Sequence, residues 1–326
     1  MIETLNFVLA DYAKEEVGSW DKLVSDLKDI GLDGVEGIWD GFEPPEDLPK
    51  GLVKGYHLTF FADWLDYYKG NKAELLRKYK TEETVRMFYE GSGAEDLIDR
   101  YKKDLGRAKK LGAKYVVFHV SDVATDEVFS YKYRHSNKEV LDASIEIVNE
   151  ILKDEDSDIL FLMENQWWPG LTMNSPNELE YLLDNVNYKH KGIMFDSGHF
   201  MNSDLRIKSE ADGVAAINTM LGKLGSLAKT IKGMHLHQSL SAEYALAHTG
   251  FVPDDFPWDD PMAAFSYAYG HVLKLDRHQP WTYDGIARVV ERVEPQFLTH
   301  ELCGKYSDRI KAAEIQKDTL RRGGLK

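Results

Sequence analysis

The chain has 326 residues, 11 of them histidine and 55 acidic, and the most informative of these close short apolar runs. His57 sits near the end of GYHLT, His119 closes YVVFH, and Glu164 closes ILFLME. Asp196 closes KGIMFD, His235 closes IKGMH and Glu301 closes FLTHE. His199 lies three residues beyond Asp196, His237 two beyond His235, and the triplet Asp276-Arg277-His278 precedes the last run. A carboxylate or imidazole at the end of a buried strand is costly unless it is paired or binds a metal. Six strand ends of this kind would converge on one place, where carboxylates repel each other unless cations sit among them. Oxygen and imidazole without thiolate suits Zn²⁺ or Mn²⁺ first, with Co²⁺, Fe²⁺ and Mg²⁺ left open.

Each residue carries a plain reading beside the chemical one. His57 or His119 alone fits a capping polar group as well as a ligand. Glu164 ends so apolar a run that a ligand role is the better account. In Asp196-Ser197-Gly198-His199, Gly198 suits a tight turn between two ligand-type residues. His235 and His237 share a face of one strand, His235 as the ligand and His237 as a neighbour contacting ligand or substrate. His300 and Glu301 alternate, and Glu301 is the one taken to face inward. Asp276-Arg277-His278 is either a solvated turn or a metal-binding segment, with Arg277 as a substrate contact. Trp167 and Trp168 fit a lid packed on the protein or a platform for a sugar ring. His135, His190, His248, His271 and His300 read as structural. Cys303, the single cysteine, reads as a small buried side chain.

These residues need a scaffold that brings strand ends together. Patterning predicts strands over 5–8, 34–38, 55–59, 115–119, 159–164, 191–196, 231–235 and 297–301. Helices are predicted over 19–30, 94–111, 138–152, 175–185, 210–228, 282–292 and 308–321, with helical material after each strand. Eight such units in 326 residues point to an α/β fold, a single (β/α)₈ TIM barrel over residues 1–326. A doubly wound sheet lacks its Gly-rich phosphate loop after the first strand. Two connections, 60–93 and 236–281, are too long for plain loops. They follow strands 3 and 7, so they belong on the catalytic face as lids or subunit contacts, and a homo-oligomer stays open.

Composition narrows the setting. Lys and Arg number 40 against 55 Asp and Glu, a net charge of −15, and 43% of residues are hydrophobic. That is core enough for a large domain and the wrong charge for broad nucleic-acid affinity. No apolar run approaches the ~18 residues of a membrane span. One cysteine excludes an internal disulfide framework, and no secretory leader pattern opens the chain. A cytoplasmic protein acting on a small molecule is the expectation.

The strand-end pattern resembles the xylose-isomerase-like TIM-barrel superfamily, with its sugar isomerase/epimerase branch and its endonuclease IV-type AP endonuclease branch. The resemblance implies a shared metal site at Glu164 (LMEN), Asp196 (FDSGH), His235 (GMHLH) and Glu301 (THEL). The endonuclease IV branch implies further ligands for a three-zinc cluster, and His57, His119, His199, Asp276 and His278 stand at matching positions. The DNA-binding loops of that branch are not recognisable, and the insertions are long and acidic. The resemblance therefore favours a sugar or sugar-phosphate isomerase or epimerase. One ion would stabilise an enediolate while Glu164 and Glu301 move the proton. The alternative is a phosphodiester hydrolase of AP-endonuclease type with up to three ions. A metal-holding sugar-binding protein without catalysis comes third.

Overall fold

Apolar runs such as YVVFH and LFLME are stable as strands only where both faces are covered. The computed structural model, which describes residues 1–39, 41 and 43–325, covers them by closing the sheet on itself. Eight parallel strands follow one another round a barrel: β1 (Ile2–Val8), β2 (Gly34–Ile38), β3 (Val53–His57), β4 (Tyr115–His119), β5 (Leu160–Glu164), β6 (Lys191–Asp196), β7 (Ile231–Leu236) and β8 (Phe297–His300). β1 pairs with β8 to complete the ring. The TIM barrel is as expected, with β1 and β3 starting earlier in the chain than predicted.

The register fixes which side chains meet. His119 lies opposite Glu164, and Asp196 opposite His235. One parity of the strands packs on the surrounding helices, as Val116, Phe118, Phe161 and Met163 do. The other fills the barrel with Tyr115, Val117, Leu162, Met194 and Phe297. Gly55 is required here, because a Cβ would lie 2.0 Å from Cζ of Tyr115. The Tyr115 hydroxyl donates to Glu36 at 2.7 Å, which places a carboxylate under the rim.

Two helical expectations are corrected. No helix occurs among the described residues between β2 and β3. That stretch holds Pro44, Pro45 and Pro49, and proline removes helix donors. The helix expected over 210–228 ends at Leu224, and a 3₁₀ segment, Gly225–Thr230, completes the link to β7. Elsewhere local chemistry behaves as read: Ser175 caps the helix Pro176–Asn185, with Pro176 in its first turn.

The long connections carry their own helices. Leu65–Tyr68, Lys72–Tyr79 and Glu82–Tyr89 follow β3, while Ala242–His248 and Pro261–Leu275 follow β7. Both rise from the C-terminal ends of the strands, where barrel enzymes place their sites. Among the described residues, no helix is long and apolar enough to cross a membrane.

Candidate metal centre

Among the described residues, three groups of side chains could each hold an ion, with the ligand atoms of each group within 4.8 Å of one another. The first is His57, His119 and Glu164; the second is Glu164, Asp196, His235 and Glu301; the third is His199, His237, Asp276 and His278. All nine metal-ligand candidates read from the sequence fall into these groups, and Glu164 belongs to two of them.

The first group joins β3, β4 and β5. Nε2 atoms of His57 and His119 are 2.9 Å apart, and they lie 3.5 and 3.2 Å from Oε2 of Glu164. In the second group Nδ1 of His235 is 2.9 Å from Oε2 of Glu301, 3.4 Å from Oε1 of Glu164 and 3.7 Å from Oδ2 of Asp196. In the third, Oδ2 of Asp276 lies 3.2 Å from Nε2 of His199 and 2.7 Å from Nε2 of His278. His278 sits at φ +44°, a left-handed conformation that a non-glycine residue holds only where its surroundings impose it.

The far nitrogens show how the rings are aimed. His57 Nδ1 bonds Leu58 O at 2.9 Å, His199 Nδ1 bonds Asn165 O at 3.0 Å, and His278 Nδ1 lies 3.3 Å from Glu301 O. His235 Nε2 bonds Glu36 at 3.0 Å. His119 Nδ1 faces the Gln166 amide at 3.3 Å, and the partnerless Oε1 of Gln166 would accept from it after a half-turn of the amide. Holding one ring nitrogen fixes the tautomer and leaves the other for a metal.

Unpartnered atoms test the fit. Both carboxylate oxygens of Glu164, Oε2 of Glu301 and Nδ1 of His235 are buried and make no hydrogen bond. Leaving such groups bare would cost far more than an ordinary fold can spare. Divalent ions held by the first and second groups would satisfy all four, since Glu164 turns Oε2 to His57 and His119 and Oε1 to His235, so the residues fit a metal. Without one, the imidazoles take the cation's place. Burial disfavours ionised Glu164, yet His119 and His235 outweigh it and hold its carboxyl well below the usual range. Burial likewise opposes a charged His235, and Glu301, Glu36 and Glu164 overcome it, raising that ring well above its ordinary value. His278, buried but beside Asp276 and Glu301, is carried up to about 10.

Several sequence expectations change in detail. Gly198 is not in a turn: Ser197–Asn202 is helical, and Asp196 caps it by accepting from His199 N at 2.6 Å. Glycine is needed because a Cβ at 198 would lie 2.0 Å from the His237 ring. His237 bonds Asp196 at 2.9 Å, stacks on His278 at 4.1 Å and joins the third group. Arg277 lies outside the groups, exposed, its guanidinium donating to Leu240 O. Trp167 lies 5.2 Å from the His199 ring and 4.1 Å from Trp168, and both indoles pack in a satellite core under the insertions. His300 faces away from the site, toward Glu3 and Gln316. Cys303 is exposed rather than buried, because it follows the strand end; its N–H donates to His278 O and its Sγ to Arg277 O, each at 3.4 Å.

Glu36 was missed. It lies in the middle of GVEGI, buried, bonding His235, Tyr115 and Thr299. An acid inside an apolar strand was the signal available. Ser239, which donates to Asp276 at 3.0 Å, had none.

Among solved structures the fold is similar to an endonuclease IV from Thermus thermophilus, with TM-score 0.57 and 14% identity over 99% of this chain and 100% of that one. It is also similar to an L-ribulose 3-epimerase, with TM-score 0.51 and 11% identity over 99% of this chain and 96% of that one. Such identities speak to the fold alone. No curated protein matches the chain. Residues 24–281 match the family described as xylose isomerase-like TIM barrel, and the chain belongs to that family.

Proposed function

We propose that the chain is a metal-dependent phosphoester hydrolase with a multinuclear centre. The observation that supports this reading best is the sharing of Glu164 between two ligand groups, with a third group adjoining through His199, whose Nδ1 lies 3.1 Å from Glu164. An isomerase using one ion needs Glu164, Asp196, His235 and Glu301. It gives no task to His57, His119, Asp276 and His278, whose burial and aimed rings are costly to maintain.

Hydrolysis joins a water oxygen to phosphorus, breaks the ester P–O bond and returns a proton to the departing oxygen. Bound ions, Zn²⁺ or Mn²⁺ by ligand type, would supply the positive charge that makes water acidic enough to attack and offsets charge on the leaving oxygen. The protein's part is to hold and to shield. Glu301 is the more open of the two central carboxylates, with its side chain 13% exposed against 0% for Glu164, and its Oε1, the oxygen turned away from His235, is the proton acceptor. Trp167 beside His199 and Phe60, 4.2 Å from the His119 ring, keep bulk water from the ligands. The net charge of −15 favours a small phosphoester over a nucleic-acid strand.

A second reading has one observation of its own: the four-residue group is complete for one ion, with Glu164 and Glu301 both beside His235. On it, the chain is a sugar or sugar-phosphate isomerase or epimerase, with the two glutamates moving a proton at carbon. Zinc- and manganese-loaded protein, offered bis(4-nitrophenyl) phosphate and a panel of ketoses and ketose phosphates, separates the two. Release of nitrophenol without exchange of substrate C–H for deuterium is expected. Deuterium exchange into a ketose with no ester cleavage overturns the hydrolase reading.

A further inference from the structure

Beside the metal centre lies a chamber of about 290 Å³ that the ligand groups do not use. The insertions after β3 and β7 build two of its walls, and the segments following β4 and β5 build the rest. Phe60, Trp168, Val123, Phe265, Ala268 and Tyr269 line it. Phe60 stands between it and the centre, since the same ring packs 4.2 Å from His119. The polar atoms of the wall are mostly engaged. The Tyr79 and Tyr89 hydroxyls bond each other at 3.0 Å, and Asp63 is held by Lys78 at 2.5 Å and by Tyr79 at 3.2 Å. The Trp168 indole, whose N–H is buried with no acceptor in the protein, adds a further aromatic surface to the wall. At the rim Phe265 and Tyr269 are 42% and 55% exposed. Aromatic rings held at a mouth beside an active centre are surface that a ligand can cover.

Resting on the phosphoester reading, we propose that this chamber receives the alcohol portion of the substrate, and that this portion is an apolar ring system. A cavity of about 150 Å³ accepts benzene. The chamber is roughly twice that, so it suits two fused rings. A nucleobase would set its donors and acceptors against hydrocarbon walls. The substrate class is thus a small aryl or alicyclic phosphoester.

The test uses the full chain and 2-naphthol as probe, followed by its fluorescence, with metal chelated and again with zinc. Saturable binding is expected in both states. Tyr269→Ala, a rim change that leaves the interior packing alone, is expected to weaken it about five- to tenfold. Ala268→Trp, which fills the chamber, is expected to abolish it while zinc content stays unchanged. If Ala268→Trp fails to fold, Tyr269→Ala still decides. Absence of saturable binding, or binding indifferent to Tyr269→Ala, overturns the chamber assignment. Binding as expected, with no hydrolysis of bis(4-nitrophenyl) phosphate by zinc-loaded protein, leaves the chamber standing and removes the phosphoester reading. Hydrolysis without naphthol binding does the reverse.

Discussion

Two clusters of acids stand on the same face of the barrel, and they solve the same electrostatic problem differently. In the insertion after β3, Lys78 reaches Asp63 at 2.5 Å and Asp66 at 2.9 Å, and Asn71 donates to Asp66 at 2.8 Å. Asp122 takes backbone N–H bonds from Trp64 and Leu65, each at 2.8 Å. Every carboxylate of that cluster has a donor from the protein. At the rim, both oxygens of Glu164 and one of Glu301 have none, although the rings around them are fixed from behind. A crowd of acids is thus no sign of a metal by itself. Carboxylates left bare among oriented imidazoles are.

The comparison can be broken from either side. Glu164→Ala removes a ligand from two groups at once, and activity is expected to fall at least about a thousandfold, with bound metal lost, as elemental analysis and steady-state rates would register. In the insertion, Lys78→Met strands two buried aspartates. Denaturant unfolding should show a loss of about 3–5 kcal/mol, while metal content per folded chain holds. If instead Lys78→Met empties the centre, the clusters are not independent. Glu36→Gln keeps shape but weakens the grip on His235, and metal affinity measured by competition with a chelator should drop about 10- to 100-fold. The smallest effect is a slope. Burial and the neighbouring Asp63 push the Asp122 carboxyl up to about 7. A raised value means that the stability it contributes is complete below the ordinary aspartate range and is lost as pH rises through about 7. Asp122→Asn keeps the acceptor for Trp64 and Leu65, so it should gain on the parent between about pH 5 and pH 8. Equal pH slopes for the two proteins would contradict this.

Strand ends were legible because a buried strand end tolerates a charge only for a reason, and the barrel makes six such ends converge. That logic singled out His57, His119, Glu164, Asp196, His235 and Glu301, spacing added His199, Asp276 and His278, and the resemblance grouped them into a shared site and further ligands. It could not see Glu36, whose role depends on the Tyr115 ring that Gly55 admits into the barrel. Nor could it tell why residue 198 is glycine, since the crowding comes from His237, just past the end of β7 and far along the chain. A repeating strand–helix unit predicts a helix before β3, and the proline-rich link there holds none among the described residues. Side-chain contacts across distant loops, such as Ser239 with Asp276, leave no trace in spacing.

The most direct test counts ions. The chain is purified without chelator, supplied with zinc and manganese, desalted and analysed for metal against protein, beside His119→Ala. The account expects more than one tightly held ion per chain, approaching three, and one fewer in His119→Ala. At most one ion in the parent, with the same number in the variant, would contradict it.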